Sequence, residues 1–114
     1  MSKHYLIVSS PLFRLSVQRF RAFLTEKYGE HKAAKILIET QQCIRQHLPG
    51  TSEIAPISER LLALGITDYR QWQLDQHNIL FYSVNQQQHQ VELLLLMDSR
   101  QSLQKLLFEL NLLL

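Results

Sequence analysis

Between Tyr69 and Leu107 the chain alternates short apolar runs with polar pauses. Trp72 and Leu74 are interleaved with Arg70, Gln71, Gln73 and Asp75, the period of two that suits a half-buried strand. Ile79 to Val84 is a second run, β-branched and aromatic, and Val91 to Leu96 is a third. Each run has strand length, and the glutamines at Gln86–Gln88 read as the polar tip of a hairpin. The pattern predicts a three-stranded antiparallel meander. Arg100 follows in a tight polar turn. Leu103, Leu106, Leu107, Leu110, Leu113 and Leu114 then recur with the rhythm of one face of a C-terminal helix.

Upstream, His4 to Ser9 reads as a first strand. Ser10-Pro11 is a helix start, with serine as cap and proline at the first helical position. Leu12, Phe13, Phe20, Phe23 and Leu24 share one broad face, opposite Arg14, Gln18 and Arg21. Tyr28-Gly29 ends this helix, since glycine accepts a left-handed turn. Glu30 to His47 gives a second helix, with Ala33, Leu37, Ile44 and Leu48 inward and Lys35, Glu39 and Gln42 outward. The short link makes the pair an antiparallel helical hairpin. Pro49-Gly50-Thr51-Ser52 is read as a break. Residues 53–68 give the weakest pattern: Ile54-Ala55-Pro56 is loop-like, and Ile57 to Leu64 is either one or two helical turns or an irregular approach to the sheet.

The order is thus strand, helical hairpin, three-stranded antiparallel meander and C-terminal helix, an α+β two-layer domain spanning 1–114 with the hairpin on one sheet face. The crossover through two helices allows the first strand to run parallel to a neighbour. The terminal leucine stripe has two readings. It covers the free face of the sheet, or it is buried by another chain, a partner's helix laid in a groove or a second copy. The second reading assigns Leu106, Leu110 and Leu113 to a partner surface.

Composition changes this picture little. At 114 residues and 46% hydrophobic the chain can bury a core as one domain, and a net charge of +2 implies no strong polyelectrolyte partner overall. The charge is uneven, however. Lys3, Arg14, Arg19, Arg21, Lys27, Lys32, Lys35 and Arg45 outnumber Glu26, Glu30 and Glu39 in residues 1–45. That half is either a solvated helical face or a surface for an acidic protein or nucleic acid. Cys43 is the only cysteine, so no intrachain disulfide can form. The first residues hold too short an apolar run for a signal peptide, and no run approaches the roughly 18 apolar residues of a spanning helix. A soluble cytoplasmic protein is expected.

Candidate chemistry is sparse. The five histidines show no ligand pair at metal-site spacing, and three glycines supply no phosphate loop, so no metal and no cofactor is expected. Cys43 reads as a packed side chain, Ser10 as a cap, and Trp72 as core or as a base-stacking platform. Arg70 and Arg100 are either ion-pair residues or functional cations. His77 is of a residue type suited to acid–base work beside Arg100, and the two are the candidate catalytic residues.

The residues also carry a resemblance. YLIVSSPLFRLSVQRFRAFLTEKYGEHKAAKILIE, Arg70-Gln71-Trp72, HNILFYSV and MDSRQSLQKLL resemble, in this order, segments of the RelE/ParE superfamily of toxins from bacterial type II toxin–antitoxin modules. The closing segment matches one ParE-like branch at Asp98, Arg100, Gln104, Leu106 and Leu107, whereas residues 51–66 match least. The RelE branch resembles a ribosome-dependent endoribonuclease, which needs several cations around the scissile phosphate and a group for the 2′-OH proton. Tyr69 and Gln71 stand where that branch has lysines, and His77-Asn78 replaces a Tyr-Arg pair. Leu106 stands at about the position of that branch's late tyrosine, and Arg100 alone matches. The ParE branch resembles a non-enzymatic poison of DNA gyrase. The resemblance therefore implies a ParE-like inhibitor neutralised by a cognate antitoxin in a hetero-oligomer. The alternatives are an mRNA endonuclease and a degenerate antitoxin-binding module. Arg14, Arg21, Arg70 and Arg100 join the leucines as candidate partner-binding residues.

Overall fold

The computed structural model describes residues 5–111. Strand β1 (Leu6–Ser9) leads into helices α1 (Pro11–Tyr28) and α2 (Glu30–Thr51), then the short α3 (Glu59–Ala63). Strands β2 (Arg70–Gln73), β3 (Asn78–Asn85) and β4 (Gln90–Asp98) follow, and α4 (Leu103–Glu109) closes the described chain. The sheet order is β1-β4-β3-β2. β2, β3 and β4 pair antiparallel, and β1 lies parallel to β4, as the two-helix crossover allows. The α+β architecture expected from the pattern is the one observed.

Serine caps set three of the four helix starts. Ser10 Oγ accepts from the Phe13 N–H at 3.0 Å and donates to the Leu93 carbonyl at 2.8 Å, so one hydroxyl caps α1 and ties it to β4. Ser58 caps α3 through Leu61 N, and Ser102 caps α4 through Lys105 N. Gly29, at φ 87°, turns the chain from α1 into α2 in the left-handed region that glycine tolerates.

The core has two parts, one on each sheet face. Phe13, Phe20 and Leu24 of α1 pack with Ala33, Ile44 and Leu48 of α2 on Leu80, Tyr82, Val91, Leu93 and Leu96. On the other face Leu61 of α3 and Leu106, Leu107 and Leu110 of α4 pack on Ile79, Phe81, Leu95 and Met97. A β-bulge adjusts the alternation. Phe81 faces Leu95 while Tyr82 faces Leu93, leaving Leu94 as the extra residue. Leu93 and Leu96 therefore serve the helical-hairpin face, and Leu94, Leu95 and Met97 serve the other. Beside the bulge, the buried Ser16 hydroxyl accepts the Leu96 N–H at 3.0 Å and donates to the Phe13 carbonyl at 2.7 Å, leaving no orphaned donor there.

Three boundaries differ from the sequence pattern. β1 begins at Leu6; His4 lies outside the described residues, as do Lys3, Leu112, Leu113 and Leu114. α2 does not stop before Pro49 but carries it inside its last turn. The missing proline N–H costs one intrahelical bond, and tertiary contacts offset it. Leu48 is fully buried, Tyr5 N–H donates to the Pro49 carbonyl at 3.2 Å, and the Tyr82 hydroxyl donates to the Ser52 carbonyl at 2.7 Å. Finally, residues 53–58 run along the outer edge of β2. Ser58 N–H bonds the Tyr69 carbonyl at 2.8 Å and Gln71 N–H bonds the Pro56 carbonyl at 2.9 Å, while Ile57 bridges Arg70. An unpaired sheet edge is thus covered by a strap that propensity alone could not reveal.

Candidate functional site

One end of the helical hairpin faces the β2–β3 turn and the end of β4 across an open cleft of about 400 Å³. Its apolar floor includes Leu24, Ile36, Cys43 and Leu74; its polar residues include Tyr28, Glu39, Asp75, His77, Asp98 and Arg100. The two sequence-predicted catalytic candidates, His77 and Arg100, therefore meet at one site although 23 positions separate them in the chain.

The turn that presents His77 is built by Asp75. Its Oδ1 accepts the backbone N–H groups of His77 at 2.8 Å and Asn78 at 2.9 Å, and its Oδ2 accepts from the Asn78 amide at 2.9 Å. Such an Asx-type turn lets a short side chain replace a backbone partner. His77 is exposed and lies in this turn rather than within β3. Its carbonyl accepts the Ser99 N–H, which fixes the β2–β3 turn against the turn after β4.

Arg100 is held by its surroundings. Its Nε reaches Asp98 Oδ1 at 2.9 Å and one terminal nitrogen reaches Asp98 Oδ2 at 2.8 Å, a two-pronged ion pair. The same terminal nitrogen donates to the Tyr28 hydroxyl at 3.0 Å, and the guanidinium lies over the Phe23 and Tyr28 rings. Asp98 also accepts the Arg100 backbone N–H at 2.9 Å, and its side chain is 1% exposed. Burial pushes the Asp98 carboxyl up, but the hydrogen bonds and charge of Arg100 outweigh it and hold the group below the usual carboxylate range. The same pairing raises the Arg100 pKa further. Arg100 is thus an ion-pair residue that locks β4 to the C-terminal end of α1. Phe23, Tyr28 and the role of Asp98 were not singled out by sequence reasoning. The Asp-x-Arg spacing at 98–100 was the available signal for the pair.

The other candidates are dispersed. Arg70 donates to the carbonyls of Glu53 at 3.1 Å and Ala55 at 2.6 Å, so its guanidinium fastens the strap to β2. Arg14 and Arg21 are exposed on α1 and form no ion pair with a described residue. Leu106 and Leu110 correct the expectation of a partner surface. They are 3% and 6% exposed and belong to the chain's own core on the sheet face opposite the hairpin, which would otherwise be bare. Leu113 lies outside the described residues. Trp72 is partly buried against the hairpin-side core and also lines a second hollow of about 610 Å³ with His47, Ile54 and Pro56. Among the described residues no three His, Cys, Asp or Glu side chains are grouped to hold a metal ion, and no helix is long and apolar enough to cross a membrane.

No protein-family model matches the sequence. No curated protein matches it either. Solved structures do. A chain of the toxin–antitoxin complex RelBE2 from Mycobacterium tuberculosis superposes with a TM-score of 0.62 at 11% identity, covering 83% of this chain and 98% of that one. A chain of the chromosomal ParDE toxin–antitoxin system from P. aeruginosa gives a TM-score of 0.65 at 11% identity, covering 83% of this chain and 96% of that one. The two likenesses do not separate one branch from the other, and what they share is the architecture described above: this chain has a RelE/ParE-like fold.

Proposed function

We propose that this chain is the toxin of a type II toxin–antitoxin module, acting as a ParE-like inhibitor of DNA gyrase and neutralised by a cognate antitoxin. The fold supports the coarser part, since the RelBE2 and ParDE chains that share it come from toxin–antitoxin complexes. The observation that carries the finer part is the state of Arg100. A phosphoryl-transfer site needs cations free to meet charge that develops on the phosphate. Here the guanidinium is already neutralised by Asp98, and Glu39 and Asp75 line the same cleft. Carboxylates on that wall repel a phosphodiester. A protein that acts by binding requires no such cluster.

The meeting of His77 and Arg100 at one cleft favours a second reading, a RelE-like ribosome-dependent mRNA endonuclease. Two assays on the purified full chain separate the readings. Gyrase should lose supercoiling activity in its presence, and translated messages should remain uncut. Codon-specific cleavage of ribosome-bound mRNA that disappears in Arg100→Ala, with gyrase unaffected, would replace the first reading by the second. Absence of both effects, together with tight antitoxin binding, would leave a degenerate antitoxin-binding module.

A further inference from the structure

The two edges of the sheet differ. The strap covers the outer edge of β2, whereas β1 has no strand on its outer side among the described residues. Leu6 N–H donates to the His89 carbonyl at 2.8 Å and Ser10 N–H to the Leu93 carbonyl at 3.3 Å, so Leu6, Val8 and Ser10 bond to β4. The backbone groups of Tyr5, Ile7 and Ser9 therefore point away from the sheet. Tyr5 N–H is taken up by the Pro49 carbonyl at 3.2 Å, and no described backbone group meets those of Ile7 and Ser9. The run Leu6-Ile7-Val8-Ser9 carries no charge, proline or bulge, the devices that usually blunt such an edge. Its side chains are open as well. Ile7 packs toward the hairpin-side core, so Leu6 and Val8 lie on the other sheet face, where Leu6 is 63% exposed and Val8 half-buried. On the hairpin side the edge opens into a hollow of about 250 Å³, lined by Ile7, Ser9, Gln41, Ile44 and Arg45 among others. Ile38 lies one turn before Gln41 on α2 and is 56% exposed.

We infer that this edge pairs with the same edge of a second copy of the chain, joining the two sheets in a symmetric dimer. Self-complementarity selects that occupant. A two-fold axis through Val8 sets Ile7 of each copy opposite Ser9 of the other, and every open N–H and C=O of these residues gains a partner. Val8 then meets Val8 as the close, non-hydrogen-bonded pair, with Leu6 of each copy diagonal to it, so the exposed leucines are covered. Pairing Ile7 with Ile7 would instead set Tyr5 opposite Ser9, and the Tyr5 N–H is already engaged by Pro49. So short an edge makes a weak, concentration-dependent dimer. The inference does not rest on the toxin reading, since it uses no residue of the cleft.

The test is sedimentation velocity on the purified full chain, from low micromolar to several hundred micromolar. Wild-type protein should shift from monomer to dimer as concentration rises. Leu6→Lys puts a charge at the most exposed apolar position of the edge. It should weaken the dimer about tenfold or more, with an unchanged thermal midpoint in dilute solution. Register is read by oxidising single-cysteine variants in a Cys43→Ala background. Val8→Cys should crosslink to a disulfide dimer, since non-hydrogen-bonded partners have Cα atoms about 4.5 Å apart. Leu6→Cys should crosslink far less, because its two copies are offset by about four residues, roughly 13 Å along the strands. Protein that stays monomeric throughout, a dimer indifferent to Leu6→Lys, or equal crosslinking of the two cysteines would overturn the inference. A monomer would leave this edge to a strand from a different protein.

Discussion

Asp98 is the residue whose chemistry reaches furthest. Its buried carboxylate accepts from the backbone and side chain of Arg100, and that set of bonds fixes the turn that closes one side of the cleft. Because its folded pKa is lowered, the pair adds stability above the ordinary carboxylate pKa of about 3.9. This contribution is lost as pH falls toward and through the folded value. Asp98→Asn should remove about 2–3 kcal/mol at neutral pH, measured by urea unfolding, and should flatten the acid arm of the stability–pH profile. Tyr82 titrates in the opposite sense. Burial pushes its hydroxyl up to about 12, so the fold holds the neutral form and stability is lost as pH climbs from about 10 through that value. Tyr82→Phe should cost about 1 kcal/mol at pH 7, through the lost bond to the Ser52 carbonyl, and should weaken the alkaline dependence of unfolding.

Among the elements, α4 decides between the two readings of the leucine stripe. One reading left its leucines to a partner; in the fold, Leu106, Leu107 and Leu110 cover the sheet face opposite the hairpin together with Leu61 of α3. Leu110→Ser should therefore cost about 3 kcal/mol or more, since it opens a cavity and buries a hydroxyl. The expected result is a lowered thermal midpoint, with any antitoxin binding falling in proportion to the folded fraction. A nearly unchanged midpoint with lost binding would return this residue to an interface. The strap, unlike α4, is an element that pattern reading did not recover. Its strand-like bonds to Tyr69 and Gln71 and its fastening by Arg70 are contacts between segments that are loop-like in isolation.

For the whole molecule, charge is more informative than composition. The net charge is small, but Arg14 and Arg21 on α1 stand exposed and unpaired by any described residue. Long-range fields act mainly on association rate. Reversing both charges should slow association with the proposed partners, antitoxin or gyrase, several-fold at low salt, and should leave the dissociation rate nearly unchanged. Stopped-flow or surface-binding kinetics at two ionic strengths would check this; equal association rates for variant and wild type would make these arginines part of a solvated face. The Arg19–Glu109 pair, 2.9 Å apart at the surface, belongs to a different task, since it links α1 to α4.

The sequence by itself determined the element types and most of their order. Period-two and helical spacings are properties of consecutive residues, and Ser10-Pro11, Tyr28-Gly29 and the polar hairpin tip mark boundaries through local backbone preferences. It also supplied Arg100 and His77 as the pair to watch. Only the tertiary structure decided how these pieces are used. Four consecutive leucines at Leu93–Leu96 have no alternation to read, so the bulge and the division of β4 between two cores emerged only from its pairing with β3. Pro49 signals a helix end locally, yet distant Tyr5 and Tyr82 hold the chain beyond it. An arginine in a sequence is simply a cation. Whether it is free to meet a phosphate depends on the carboxylate, hydroxyl and rings that folding brings around it, and here folding brought Asp98, Tyr28 and Phe23.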